Sequence, residues 1–144
     1  MNTTKDISLP FEDYQINVKL KISALWVAVM FCYVYGDYIE VFVPGVMSEA
    51  LLVSADRKGI QYEFFAVALL MSIPSVMIFL TLALKPNFNR KLNIIIPGLF
   101  IVLLVSLNLE TGWGFYLYLT GLEILLSVMT IRYAWKWPKA EIMG

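Results

Sequence analysis

Four apolar stretches constrain what this chain can become. A helix that crosses the ~30 Å hydrocarbon layer of a bilayer needs about 20 predominantly apolar residues. Phe64–Leu84, Leu92–Leu109 and Trp113–Ile131 all suit that requirement. The first stretch is less regular. Ile22–Tyr35 is apolar but reaches roughly 21 Å at 1.5 Å per residue, too short to cross. The helix is therefore expected to run on through Gly36, Asp37 and Glu40 to Val43, where Pro44 and Gly45 stop it. The expected fold is all-α: an integral membrane, up-down-up-down four-helix bundle. It forms a single transmembrane domain over 1–144, with spans near 20–43, 63–84, 92–109 and 112–133 and an outer loop over 44–62.

Composition agrees with a membrane solvent. Apolar residues make up 60% of the chain, against ~45–50% in soluble domains. Lysine plus arginine equal aspartate plus glutamate at 11 each, so net charge points to no nucleic-acid partner. The mixed cluster "RYAWKWPK" reads as an interfacial anchor for lipid headgroups. The chain has no histidine and one cysteine, Cys32, which removes bis-imidazole haem ligation, histidine zinc sites and C-x-x-C redox chemistry. No cofactor, metal site or catalytic residue is expected, and Cys32 reads as small-residue packing.

Charge placement orients the bundle. Lys5, Lys19, Lys21, Lys85, Arg90, Lys91, Arg132, Lys136 and Lys139 fall on one side of a four-pass topology, while Arg57 and Lys58 fall on the other with Glu49, Asp56, Glu63 and Glu110. The positive-inside rule then makes both termini cytoplasmic. Asp6, Glu12 and Asp13 precede the first span and no small-x-small site follows it, so it is expected to be retained rather than cleaved as a signal peptide. "INVKLKI" reads as an interfacial lead-in, and "KPNFNRK" and "NLETG" as short connections. In the outer loop Ser48 is the expected N-cap of an amphipathic helix carrying Met47, Leu51 and Leu52, with Gly59 as its stop. Pro74 and Pro97 are expected to kink the second and third spans.

Residues three and four apart share one helix face. In the first span Trp26, Met30, Tyr33, Asp37 and Glu40 follow that spacing, beside a small-residue stripe of Ala24, Ala28, Cys32 and Gly36. In the last span Tyr116, Thr120, Glu123, Ser127 and Thr130 do the same, with Gly114 and Gly121 on the other side. Glu123 lies near the bilayer midplane, where an ionised acid costs at least a few kcal/mol. It must be protonated, solvated or paired. Helix rise places Asp37 and Glu123 about 9 Å apart in depth, which argues against one bare divalent ion held by both.

The strings "SALWVAVMFCYVYGDYIEVFVPG", "IPSVMIFLTLALKPNFNRKLNIIIPG" and "FYLYLTGLEILLSVMTIRYAWKWP" resemble a family of small bacterial integral membrane proteins with four spans and no established activity. The resemblance covers nearly the whole chain beyond the first twenty residues. It rests on Leu25-Trp26, Asp37-Tyr38, Pro44-Gly45 and Tyr133-Ala134-Trp135. It implies the four-span topology and a bacterial inner membrane, and leaves the activity open.

Three functional readings follow. In the favoured one Glu123, Asp37, Glu40, Tyr33, Tyr116 and Thr120 form an acidic, hydroxyl-lined cavity that binds or transports a proton, a cation or a small amphipathic molecule. Four helices per subunit favour a homo-oligomer for any complete path. In the second the chain is an accessory subunit packing against a partner. Glu123 is then a protonated carboxyl bonded to Tyr33 or a nearby hydroxyl, and Asp37 and Glu40 are interfacial acids met by loop cations or water. An intramembrane enzyme is third, because no nucleophile constellation is visible.

Overall fold

The computed structural model describes residues 14–56, 59–108 and 113–138. They form five helices: α1 Val18–Glu40, α2 Val46–Asp56, α3 Ile60–Ala83, α4 Pro86–Asn108 and α5 Gly114–Trp135. α1, α3, α4 and α5 are each long and apolar enough to span a membrane, which marks the chain as a multi-pass membrane protein.

The helix ends correct several boundaries expected from sequence. The "INVKLKI" segment is already helix from Val18, because Asn17 Oδ1 accepts from the Lys19 amide at 2.9 Å and caps the first turn. α1 stops at Glu40, short of Val43, and a turn carries the chain through Pro44 to Gly45 at φ +95°. Most of "KPNFNRK" is the opening of α4: Pro86 takes the first helical position, where it lacks only an amide that would have no intrahelical partner. Ser48 lies inside the first turn of α2 rather than capping it, and its hydroxyl donates to the Gly45 carbonyl at 2.9 Å. Gly59 is the N-cap of α3, at φ +113°. Pro74 and Pro97 sit inside α3 and α4 and are fully buried. The "NLETG" connection, Arg57, Lys58, Lys5 and Lys139 lie outside the described residues.

α1 packs against α3 and α5, and α4 packs against α5 while also reaching α1 through the Trp26–Asn93 and Tyr33–Phe100 contacts. One end of the bundle is closed by the α3–α4 turn. There Lys19 Nζ donates to the carbonyls of Leu82 and Leu84, Ser23 donates to the Ile78 carbonyl, and Arg90 donates to that of Trp135. Ile22, Trp26, Met77 and Ala134 form a dense apolar plug at this end.

The side-chain distribution is inverted relative to a soluble bundle. The buried residues of α5 are Thr120, Glu123, Ser127, Thr130 and Ala134, whereas Phe31, Phe65, Phe79, Leu99 and Leu125 are exposed. Lipid removes the penalty on exposed apolar side chains, so polar groups gather where other helices can solvate them.

Candidate functional site

The polar faces of α1 and α5 meet. At Gly36 an added Cβ would lie 3.6 Å from Leu119 Cδ1, so α1 packs on that side chain here. The packing of α1 on α5 brings Tyr33 and Asp37 into one cavity wall with Thr120 and Glu123. Between the helices, at the end opposite the α3–α4 turn, lies a cavity of about 380 Å³. All six residues singled out from sequence, Tyr33, Asp37, Glu40, Tyr116, Thr120 and Glu123, line it.

The three acids sit at different depths. Glu123 is buried at 4% exposure, Glu40 is half-buried and Asp37 is exposed. Val43, Val46 and Trp113 complete the wall at the end away from the α3–α4 turn. Among the described residues no lysine or arginine pairs with these carboxylates and no side chain donates a hydrogen bond to them. The alternative in which Glu123 bonds to Tyr33 is not what the geometry contains. The Tyr33 hydroxyl is buried without a hydrogen-bond partner, and its ring leans on Phe100 at a centroid distance of 6.2 Å. A buried hydroxyl left unmade costs about 1–3 kcal/mol, so its position in the wall of an acidic cavity calls for a ligand or water to complete it.

The rest of the lining is apolar and was not legible in the acid stripes. Phe100, Leu103, Leu104 and Leu107 come from α4, and Leu70 and Met71 from α3. Among the described residues no group of three or more Asp, Glu, Cys or His converges closely enough to hold a metal ion.

A second set of buried polar residues lies outside the cavity lining; Thr81, Asn89 and Asn93 were not singled out from sequence, while Trp26 belongs to the α1 stripe. Trp26 Nε1 donates to Asn93 Oδ1 at 2.7 Å, Asn93 Nδ2 donates to Asn89 Oδ1 at 2.7 Å, and Asn89 Nδ2 donates to the Thr81 carbonyl. Thr81, Asn89 and Asn93 are fully buried. Their local signal was the four-residue spacing of Asn89 and Asn93, which puts both amides on one face of α4.

Residues 10–144 match the model of a family of unknown function, DUF6326. The chain belongs to that family. No curated protein and no solved structure matches it. Membership in DUF6326 brings no activity with it, and the functional argument rests on the cavity.

Proposed function

We propose that this chain is a membrane protein whose acidic, hydroxyl-lined cavity binds, and in an oligomer transports, a proton, a cation or a small amphipathic molecule. The observation that carries this reading is the convergence of three carboxylates and the unpartnered Tyr33 hydroxyl on one cavity of about 380 Å³. That volume lies within the ~300–1,000 Å³ of small-molecule sites. Glu123 is the central charge, Asp37 and Glu40 form the entrance, and Tyr33, Tyr116 and Thr120 orient what enters.

In this reading the topology is up-down-up-down with both termini cytoplasmic. Lys19, Lys21, Lys85, Arg90, Lys91, Arg132 and Lys136 all belong to the end that carries the α3–α4 turn, away from the acids, as the positive-inside rule asks of a bacterial inner-membrane protein. The cavity then opens outward.

Infrared difference titration of the membrane-embedded protein tests the proposal, comparing wild type with Glu123→Gln and Asp37→Asn. A Glu123 carboxyl band that titrates and shifts on adding a cation supports a working site. A band that stays protonated and ignores every cation removes it.

An accessory or self-associating role is the second reading. It is favoured by residues 61–69 of α3, which are all exposed, and by Gly121, which has no atom within 4 Å of a built Cβ. Both leave α3 and α5 surfaces open to another helix.

A further inference from the structure

The walls of the cavity differ in chemistry, and the difference narrows the ligand class. The α1 and α5 side carries Asp37, Glu40 and Glu123, while α4 offers Leu103, Leu104 and Leu107. An occupant that uses both sides has a positive head and an apolar body. The acids share the cavity, yet no three ligating groups converge on a point among the described residues. A small inorganic ion needs several oxygens within ~2.6 Å, which these separated acids do not give, whereas one carboxylate with a neighbouring hydroxyl can hold the charged head of an organic molecule whose body binds elsewhere.

Two further observations define that head and its approach. Tyr33 is only 7% exposed and its hydroxyl has no partner. A hydroxyl beside carboxylates can accept from an N–H, which a protonated amine supplies and a quaternary ammonium lacks. Tyr116 and Trp113 in the same wall add ring faces that attract cations. On the α3 side the wall consists of Leu70 and Met71, and residues 61–69 beyond them stand exposed. The cavity is thus flanked by apolar helix surface, the route by which a lipophilic molecule arrives from a bilayer.

Resting on the cavity reading above, we infer that the ligand is a lipophilic primary or secondary amine in its ammonium form, its nitrogen held at Glu123 beside Tyr33, with Asp37 and Glu40 adding negative charge towards the entrance, and its hydrocarbon body against the leucines of α4.

Calorimetric titration of the full chain in nanodiscs of zwitterionic lipid tests this with three probes of one body: 4-phenylbutylamine, its N,N,N-trimethyl salt and 4-phenylbutanol. Empty nanodiscs correct for partition into lipid. The amine is expected to bind the wild-type protein about tenfold or more tightly than the alcohol, as charged hydrogen bonds exceed neutral ones. Tyr33→Phe should weaken the amine severalfold and leave the trimethyl salt unchanged. Glu123→Gln should weaken both cations about tenfold or more. The amine-to-alcohol comparison needs no variant and stands even if a substitution fails to fold.

Equal binding of amine and alcohol overturns the inference, as does equal loss of amine and trimethyl salt in Tyr33→Phe. If no probe binds while the Glu123 infrared band still responds to protons or inorganic cations, the inference falls and the cavity reading survives. If neither response is seen, both fall.

Discussion

Trp26 and Asn93, sixty-seven residues apart, are joined by a buried 2.7 Å hydrogen bond from the indole nitrogen to the amide oxygen. The bond ties α1 to α4 across the bundle interior. Thr81 stands 3.4 Å from the same amide oxygen, so Asn93 links three helices.

Trp26→Phe keeps most of the ring volume and removes the donor. The expected cost is about 1–3 kcal/mol, the range for a buried polar group that loses its partner. A thermal melt in detergent or nanodiscs checks it. Asn93→Leu should be worse, because it strands the Trp26 indole and part of the Asn89 amide together. Melting temperatures equal to wild type in both variants would show that the network contributes nothing.

Tyr33→Phe should separate stability from binding. The hydroxyl is buried with no partner, so its removal in the empty protein is expected to be neutral or stabilising by up to about 1–2 kcal/mol. A melt of the unliganded variant reads this. A clear loss of stability would mean that the hydroxyl already has a partner in the membrane.

Gly36 and Gly121 should respond oppositely to bulk. At Gly36 a Cβ meets Leu119 at 3.6 Å, an ordinary contact, so Gly36→Ala is tolerated. Gly36→Leu forces α1 and α5 apart, at an expected cost of about 1–3 kcal/mol. Gly121 has nothing within 4 Å, so Gly121→Leu should leave the melting temperature unchanged. Its effect on oligomer size, measured by light scattering, then reports on self-association: a shift shows that this face of α5 meets another copy of the chain.

Lys19 and Lys21 sit two residues apart but do different things. Lys19 Nζ donates to the carbonyls of Leu82 and Leu84 at 3.0 and 2.7 Å, placing a cation at the C-terminal end of α3. Lys21 lies over the Tyr133 ring at 5.9 Å. Lys19→Met is expected to destabilise by about 1–2 kcal/mol, and Lys21→Met by about 0.5–1 kcal/mol. The reverse order in paired melts would contradict the capping role.

Much of this protein is written locally. Helix length, apolar character and the three-and-four spacing that gathers Tyr33 with Asp37, and Thr120 with Glu123, depend on residues within a few turns of one another. Four spans and two polar stripes could therefore be read without a structure. Boundaries were harder: Asn17 extends α1 backward and Pro86 starts α4 early, because single capping and first-turn residues decide a helix end while hydropathy averages over a whole window.

Tertiary structure decided which faces meet. That α1 packs against α3 and α5, that Gly36 seats Leu119, and that α4 supplies the leucines opposite Glu123 all depend on helix pairs distant in sequence. The Trp26–Asn93–Asn89 network is the sharpest case. Each member is a plausible helix residue in its own segment. Only packing removes the water that would otherwise satisfy the donors and acceptors, and so makes them partners of one another.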